Sequence, residues 1–182
     1  RIKQERDRAL AESRSQLDIA LDSEADVSDR VRAFGSLGTI SGEVNVSKGW
    51  EIVADTQAVA ELRSAALESL VGAVGGGEER FGQLIEIMSN HESPAPLRQL
   101  ALRVLQASSF TSPLFLARRA QYTGALRALV DSENNELAES AVEYLALARD
   151  EYVQRRLIDG LRDEEKQLVR PRFDKPSPTF SA

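Results

Sequence analysis

Three stretches of this chain carry one apolar spacing. Glu61-Leu62-Arg63-Ser64-Ala65-Ala66-Leu67-Glu68-Ser69-Leu70 returns as Pro96-Leu97-Arg98-Gln99-Leu100-Ala101-Leu102-Arg103-Val104-Leu105, and again as Glu136-Leu137-Ala138-Glu139-Ser140-Ala141-Val142-Glu143-Tyr144-Leu145. Each copy places a Leu, an Ala four residues on, then Leu or Val, and a second Leu eight residues after the first. That spacing marks one face of a helix with 3.6 residues per turn. The copies begin 35 and then 40 residues apart, the range of helical repeat arrays. Arg30, Ala33, Phe34 and Leu37 fit the same template as a degenerate fourth copy, with Asp29 where the others carry Leu.

Composition supports helices throughout. Hydrophobic residues make up 42% of the 182 residues, enough for a core, yet only 5% are aromatic. The core is therefore built from Leu, Ala, Val and Ile, side chains that suit closely packed helices. No long period-2 run of β-branched residues predicts a sheet. One helical domain over 1–169 is expected, followed by a Pro-rich flexible tail over 170–182 with too little apolar content to fold alone.

The net charge of -6 argues against a nucleic-acid partner, since phosphate recognition usually needs a basic face. No apolar run approaches the ~20 residues that span a bilayer, so membrane insertion by this segment is not expected. The absence of cysteine removes disulfides and thiolate chemistry and leaves the compartment open. The opening residue is Arg1, as expected of a processed protein or of part of a longer one.

Along the chain, a helix is expected over 3–21, with Leu10, Leu17 and Ala20 on one stripe, and another over 24–40. Ser41 to Gly49 reads as a loop before a short helix from Trp50. The strongest repeat helices are expected over 57–74, 94–107 and 136–149, with Gly75-Gly76-Gly77 ending the first. Between them, helices are expected over 78–88, 113–117 and 122–130. Asp150 is expected to cap a last helix holding Tyr152, Val153, Leu157, Ile158 and Leu161. The unit is helix, turn, helix, repeated about four times, with the pattern on the second helix of each pair.

The run Leu62-Arg63-x-x-Ala66-Leu67-x-x-Leu70, followed by Val71-Gly72, resembles the second-helix signature of HEAT-like repeats, members of the armadillo-type superhelices. Leu97-Arg98…Ala101…Leu105 matches without the Gly, and Leu137…Ala141…Leu145 matches with Ala138 in place of Arg. Tetratricopeptide repeats, the nearest rival, need a Trp/Leu-Gly/Tyr spacing that is absent here. The resemblance implies an all-α, short right-handed superhelix of stacked antiparallel helix pairs, with second helices lining the concave side. It implies protein binding as the usual role. The hydroxylases of this group bind iron through repeated His-Glu pairs; this chain has one, His91-Glu92.

Chemistry is sparse. A zinc or iron site on His91, the only histidine, would need carboxylates for every other ligand, which is uncommon. Gly75-Gly76-Gly77-Glu78-Glu79 lacks the Lys and Ser/Thr of a phosphate loop and reads as a helix terminator. No catalytic, cofactor-binding or metal-binding residues are assigned. The Arg118-Arg119 and Arg155-Arg156 pairs, with Arg127, Arg149 and Arg162, form the one candidate basic patch. Pairing such as Glu151 with Arg155 would absorb much of it. Arg63 and Arg98 are expected to tie one repeat to the next. Trp50 and Phe110 are expected near loops, capping the core.

Aligned positions on the expected concave face of the second helices are Ser64, Gln99 and Glu139, and Glu68, Arg103 and Glu143. These six form the candidate protein-binding strip. The leading expectation is a scaffold or adaptor with a protein partner on that face. A lyase-like enzyme-associated domain and a purely structural solenoid segment are the alternatives.

Overall fold

The structure, a computed structural model, describes residues 2–107 and 113–169. Among these, every regular element is helical and no strand occurs: α1 Ile2–Leu21, α2 Val27–Leu37, α3 Glu43–Ala54, α4 Ala60–Ser69, α5 Glu78–Ser89, α6 Ala95–Ala107, α7 Pro113–Leu129, α8 Asn135–Leu147 and α9 Glu151–Val169, with a 3-10 turn at Val71–Gly76 after α4. The protein is therefore all-α. No helix among the described residues is long and apolar enough to cross a membrane.

The helices fall into pairs. α1 packs on α2, α3 on α4, α5 on α6 and α7 on α8. Five residues separate the partners each time: 22–26, 55–59, 90–94 and 130–134. In the first three turns the opening side chain accepts the backbone N–H two residues on: Asp22 from Glu24 at 2.9 Å, Asp55 from Gln57 at 2.8 Å and Asn90 from Glu92 at 2.9 Å. Asp and Asn favour such turns because their short side chains replace a backbone acceptor. The fourth turn opens on Val130. There Ser132 accepts from Asn134 N–H at 3.2 Å, and Asn134 caps α8 by accepting from Leu137 N–H at 3.1 Å.

An arginine closes the same three hairpins. Arg30, Arg63 and Arg98 each donate Nε–H to the carbonyl ten residues earlier, on Ala20 at 3.2 Å, Val53 at 2.9 Å and Met88 at 3.0 Å. Those carbonyls lie in the last turn of the first helix, where no intrahelical donor remains. The bond therefore stays within one hairpin, whereas the sequence led us to expect a tie between repeats. The fourth hairpin has Ala138 at this position. Its core register is also one residue shorter: Leu129 and Leu137 are buried eight apart, whereas Met88 and Leu97 are nine apart.

The first three pairs meet mainly through their second helices, α2 on α4 and α4 on α6, with α1 also on α3, whereas the third and fourth meet mainly through their first helices, α5 on α7, with a smaller contact of α6 on α8. Ala33, Ala66, Ala101 and Ala141 are at most 1% exposed. The repeated alanine thus sits at full burial in all four pairs, where a longer side chain would hold neighbours apart. Ser69 stitches the first two pairs: its hydroxyl donates to the Phe34 carbonyl at 3.2 Å, and its own carbonyl accepts Ile40 N–H at 2.8 Å.

Several local expectations are corrected. Residues 43–49 belong to α3 and are not a loop, because Val46, Gly49, Trp50 and Val53 recur at i, i+3, i+4 and i+7 on its buried side. Trp50 is a core residue, 5% exposed; Phe110 lies outside the described residues. The helix expected over 57–74 is confined to Ala60–Ser69, because the chain tightens into the 3-10 turn after Leu70. The two pieces expected over 113–117 and 122–130 form one helix, Pro113–Leu129. The helix expected over 24–40 is confined to Val27–Leu37, capped by Asp26, which accepts Ser28 N–H at 2.8 Å. The tail over 170–182 lies outside the described residues.

Candidate protein-binding face

The second helices bury one side and present the other. On α4, Leu62, Ala66 and Leu67 are buried, Ser64 is half-buried and Glu68 is exposed. On α6, Leu97, Ala101 and Leu105 are buried, Gln99 is half-buried and Arg103 is exposed. On α8, Leu137, Ala141 and Leu145 are buried, while Glu139 and Glu143 are exposed. The six candidate residues thus lie on three helices that contact one another in the order α4, α6, α8.

The structure draws only some of them together. Gln99, Arg103 and Glu139 line a depression of about 400 Å³ between α6 and α8, with Leu102, Glu136 and Ser140. Ser64, Glu68 and Glu143 lie outside it. Gln99 donates its side-chain N–H to Glu136 across the helix contact. Glu136 and Ser140 were missed as site residues, although their i and i+4 positions on either side of Glu139 place them on the same face. Within the strip Arg103 is cationic and Glu68, Glu139 and Glu143 are anionic, so the surface presents both signs with an acidic excess.

Four arginines of the candidate basic patch, Arg118, Arg127, Arg155 and Arg156, lie beside carboxylates. Arg118 faces Glu78 at 3.2 Å, and their neighbourhood, with Glu79, Gly82, Gln83 and Glu86, forms a second hollow of about 600 Å³ beside α5. Arg155 approaches Glu151 at 3.7 Å within α9, as the i,i+4 spacing predicted. Arg127 forks onto Asp150, with Nη2 at 2.7 Å from Oδ2 and Nε at 3.2 Å from both oxygens. Arg156 donates to Asp131 at 2.6 Å and to the Tyr152 hydroxyl at 3.0 Å. Both guanidiniums flank the Tyr152 ring, at 6.0 and 5.8 Å from its centroid.

Asp150 occupies two roles at once. α8 ends with Arg149 in the left-handed region at φ 55, and Asp150 N–H reaches back to the Leu145 carbonyl at 2.8 Å. This satisfies a carbonyl left open at the helix end. The Asp150 carboxylate then accepts Tyr152 N–H at 3.1 Å, starting α9. The Arg127 fork holds this carboxyl below its usual pKa.

Remaining shifted groups belong to packing. Burial lowers the pKa of Arg63, opposed by the Asp55 carboxylate, and burial lowers that of Arg98. Both stay charged, because a guanidinium does not deprotonate in proteins. Tyr122 packs edge-on against Phe81 and Tyr144, at 6.3 and 5.5 Å between ring centroids. Burial and the neighbouring Tyr144 push its hydroxyl above the usual tyrosine range. Tyr122 and Tyr144 also line a third hollow, about 590 Å³, between α7 and α8 with Leu116, Ala120, Arg119 and Asp150. His91 lies exposed in the α5–α6 turn. Among the described residues no group of three or more His, Asp or Glu side chains is placed to hold a metal ion.

Helical pairs with a polar strip along their second helices define the class of molecule: an all-α protein with a repeated hairpin. Compared with known families, curated proteins and solved structures, the chain matches no family, no curated protein and no solved structure.

Proposed function

We propose that the chain is a short HEAT-like solenoid, a right-handed superhelix of stacked helix pairs, acting as a non-catalytic interaction scaffold. Its partner is a protein or peptide held on the second-helix face by Ser64, Glu68, Gln99, Arg103, Glu139 and Glu143. One observation carries the reading. The second helices turn their repeated Leu and Ala positions inward, while Gln99, Arg103 and Glu139 on their other side line a polar depression between α6 and α8. The recurring arginine-to-carbonyl bond supports the repeat character. Clefts lined by polar and charged side chains favour segments of complementary charge over small apolar ligands. The acidic excess favours a partner segment bearing Lys or Arg.

The test compares capture of partners from the native host by the wild-type chain and by an Arg103→Glu, Glu143→Lys double variant. Both substitutions are at exposed positions, so circular dichroism should show the fold intact. The expected result is loss of the partner bound by the wild type. Equal recovery of every partner by both proteins removes this face as the binding site.

A further inference from the structure

The fourth pair is unequal in length. α5 and α6 have 12 and 13 residues, whereas α7 has 17 and α8 only 13. α8 returns from the turn 130–134 at the C-terminal end of α7, so the surplus falls on the first turn of α7. α8 stops at Leu147, and Arg149, in the left-handed region at φ 55, turns the chain away into α9. The mismatch leaves the hollow of about 590 Å³ between α7 and α8. Leu116, Ala120 and Thr123 line it from α7, at i, i+4 and i+7 on one side of the helix, and Tyr144, Leu145 and Ala148 line it from α8. Leu116 is left 60% exposed there.

We propose that this hollow is a binding site for a small aromatic carboxylate. Its volume falls in the range of about 300–1,000 Å³ typical of small-molecule sites, which combine apolar and aromatic walls with a few placed polar groups. Tyr122 and Tyr144, edge-on at 5.5 Å between ring centroids, supply the aromatic wall. The charged side chains supply the sign. Arg119, Arg127 and Asp150 line the hollow. Arg127 forks onto Asp150, whereas Arg119 is exposed and makes no hydrogen bond or ion pair among the described residues. One positive charge is thus left uncompensated beside an apolar floor, and a planar carboxylate matches the guanidinium fork. The depression between α6 and α8 is of the other kind, because Glu136 and Glu139 line it with Arg103 and disfavour an anion. The inference does not rest on the scaffold reading, since none of the six residues of the strip lines this hollow.

The probe is naphthoate, titrated into the full chain and followed in its amide NMR spectrum. Saturable shifts are expected, concentrated in residues 116–127 and 144–150. Naphthalenemethanol, which keeps the rings and lacks the charge, is expected to bind at least about fivefold more weakly, and Arg119→Glu to weaken naphthoate by a similar factor. Ala120→Trp fills the hollow and is expected to abolish the shifts. Arg119 and Ala120 are both exposed, so resonances away from the hollow should stay in place in either variant, and the comparison of the two probes needs no variant at all. The absence of saturable shifts overturns the proposal. Shifts centred on Leu157, Ile158 and Leu161, the exposed apolar residues of α9, overturn it in favour of unselective apolar contact. Equal affinity for the acid and the alcohol, or binding indifferent to Arg119→Glu, overturns the assignment of a carboxylate ligand.

Discussion

A guanidinium placed on a carbonyl ten residues away does what a short loop does not: it fixes the crossing of two helices. Arg63 and Arg98 are 6% and 8% exposed, so removing either leaves a main-chain acceptor with little access to water. Arg98→Ala is expected to cost about 1–3 kcal/mol in urea unfolding. Arg98→Lys should recover only part of this, since an ammonium lacks the planar fork. Arg30→Ala should cost less, because Arg30 is only half-buried. Asp150 gives a pH-dependent counterpart. Its folded pKa is depressed by Arg127, so its contribution is present above the unfolded carboxylate range near 4 and is lost as pH falls through the folded value. The stability gap between wild type and Asp150→Asn is therefore expected to be present at pH 7 and to close in acid. A gap that persists at pH 2 would assign the loss to the α9 cap alone. The sequence pointed to Arg63 and Arg98 by their repetition. It did not show which way they reach, because Val53 and Met88 contribute only a backbone atom to the bond.

At the scale of the helix, spacing served well where side chains were large and poorly where glycine stood in for them. The first half of α3, ahead of the helix expected from Trp50, escaped notice because Gly49 occupies a buried position. A Cβ there would lie 3.2 Å from Leu70 Cδ1, so the missing side chain is what lets α4 approach. Gly35 on α2 is different: nothing lies within 4 Å of its would-be Cβ, and it is exposed. The two glycines predict opposite outcomes. Gly35→Ala is expected to stabilise by about 0.5–1 kcal/mol, since Ala gains helix propensity and meets no neighbour. Gly49→Ala is expected to be neutral or destabilising, because Leu70 must shift. Thermal melts of the two variants check this, and equal stabilisation of both would refute the close-approach reading. The six candidate residues were legible for the same reason as the repeat: they hold constant offsets from Ala66, Ala101 and Ala141. Glu136 and Ser140 were overlooked because their importance arises from the α6–α8 contact, which spacing within one helix does not reveal.

Across the whole molecule, protection is uneven. Residues 2–15 of α1 are exposed throughout, and α9 buries little beyond Val153 among its described side chains. Hydrogen exchange is expected to be fastest in these two end helices and slowest in α4, α5 and α6, whose apolar positions are fully buried. Uniform protection from α1 to α9 would contradict this layout. Because every arginine clasp shuts its own hairpin and none spans two, the protein resembles a row of separately fastened links. Pulled from its ends, it should yield in successive steps, each releasing roughly 35 residues, or about 12 nm of extended chain. The fourth link, which carries no clasp, should let go early.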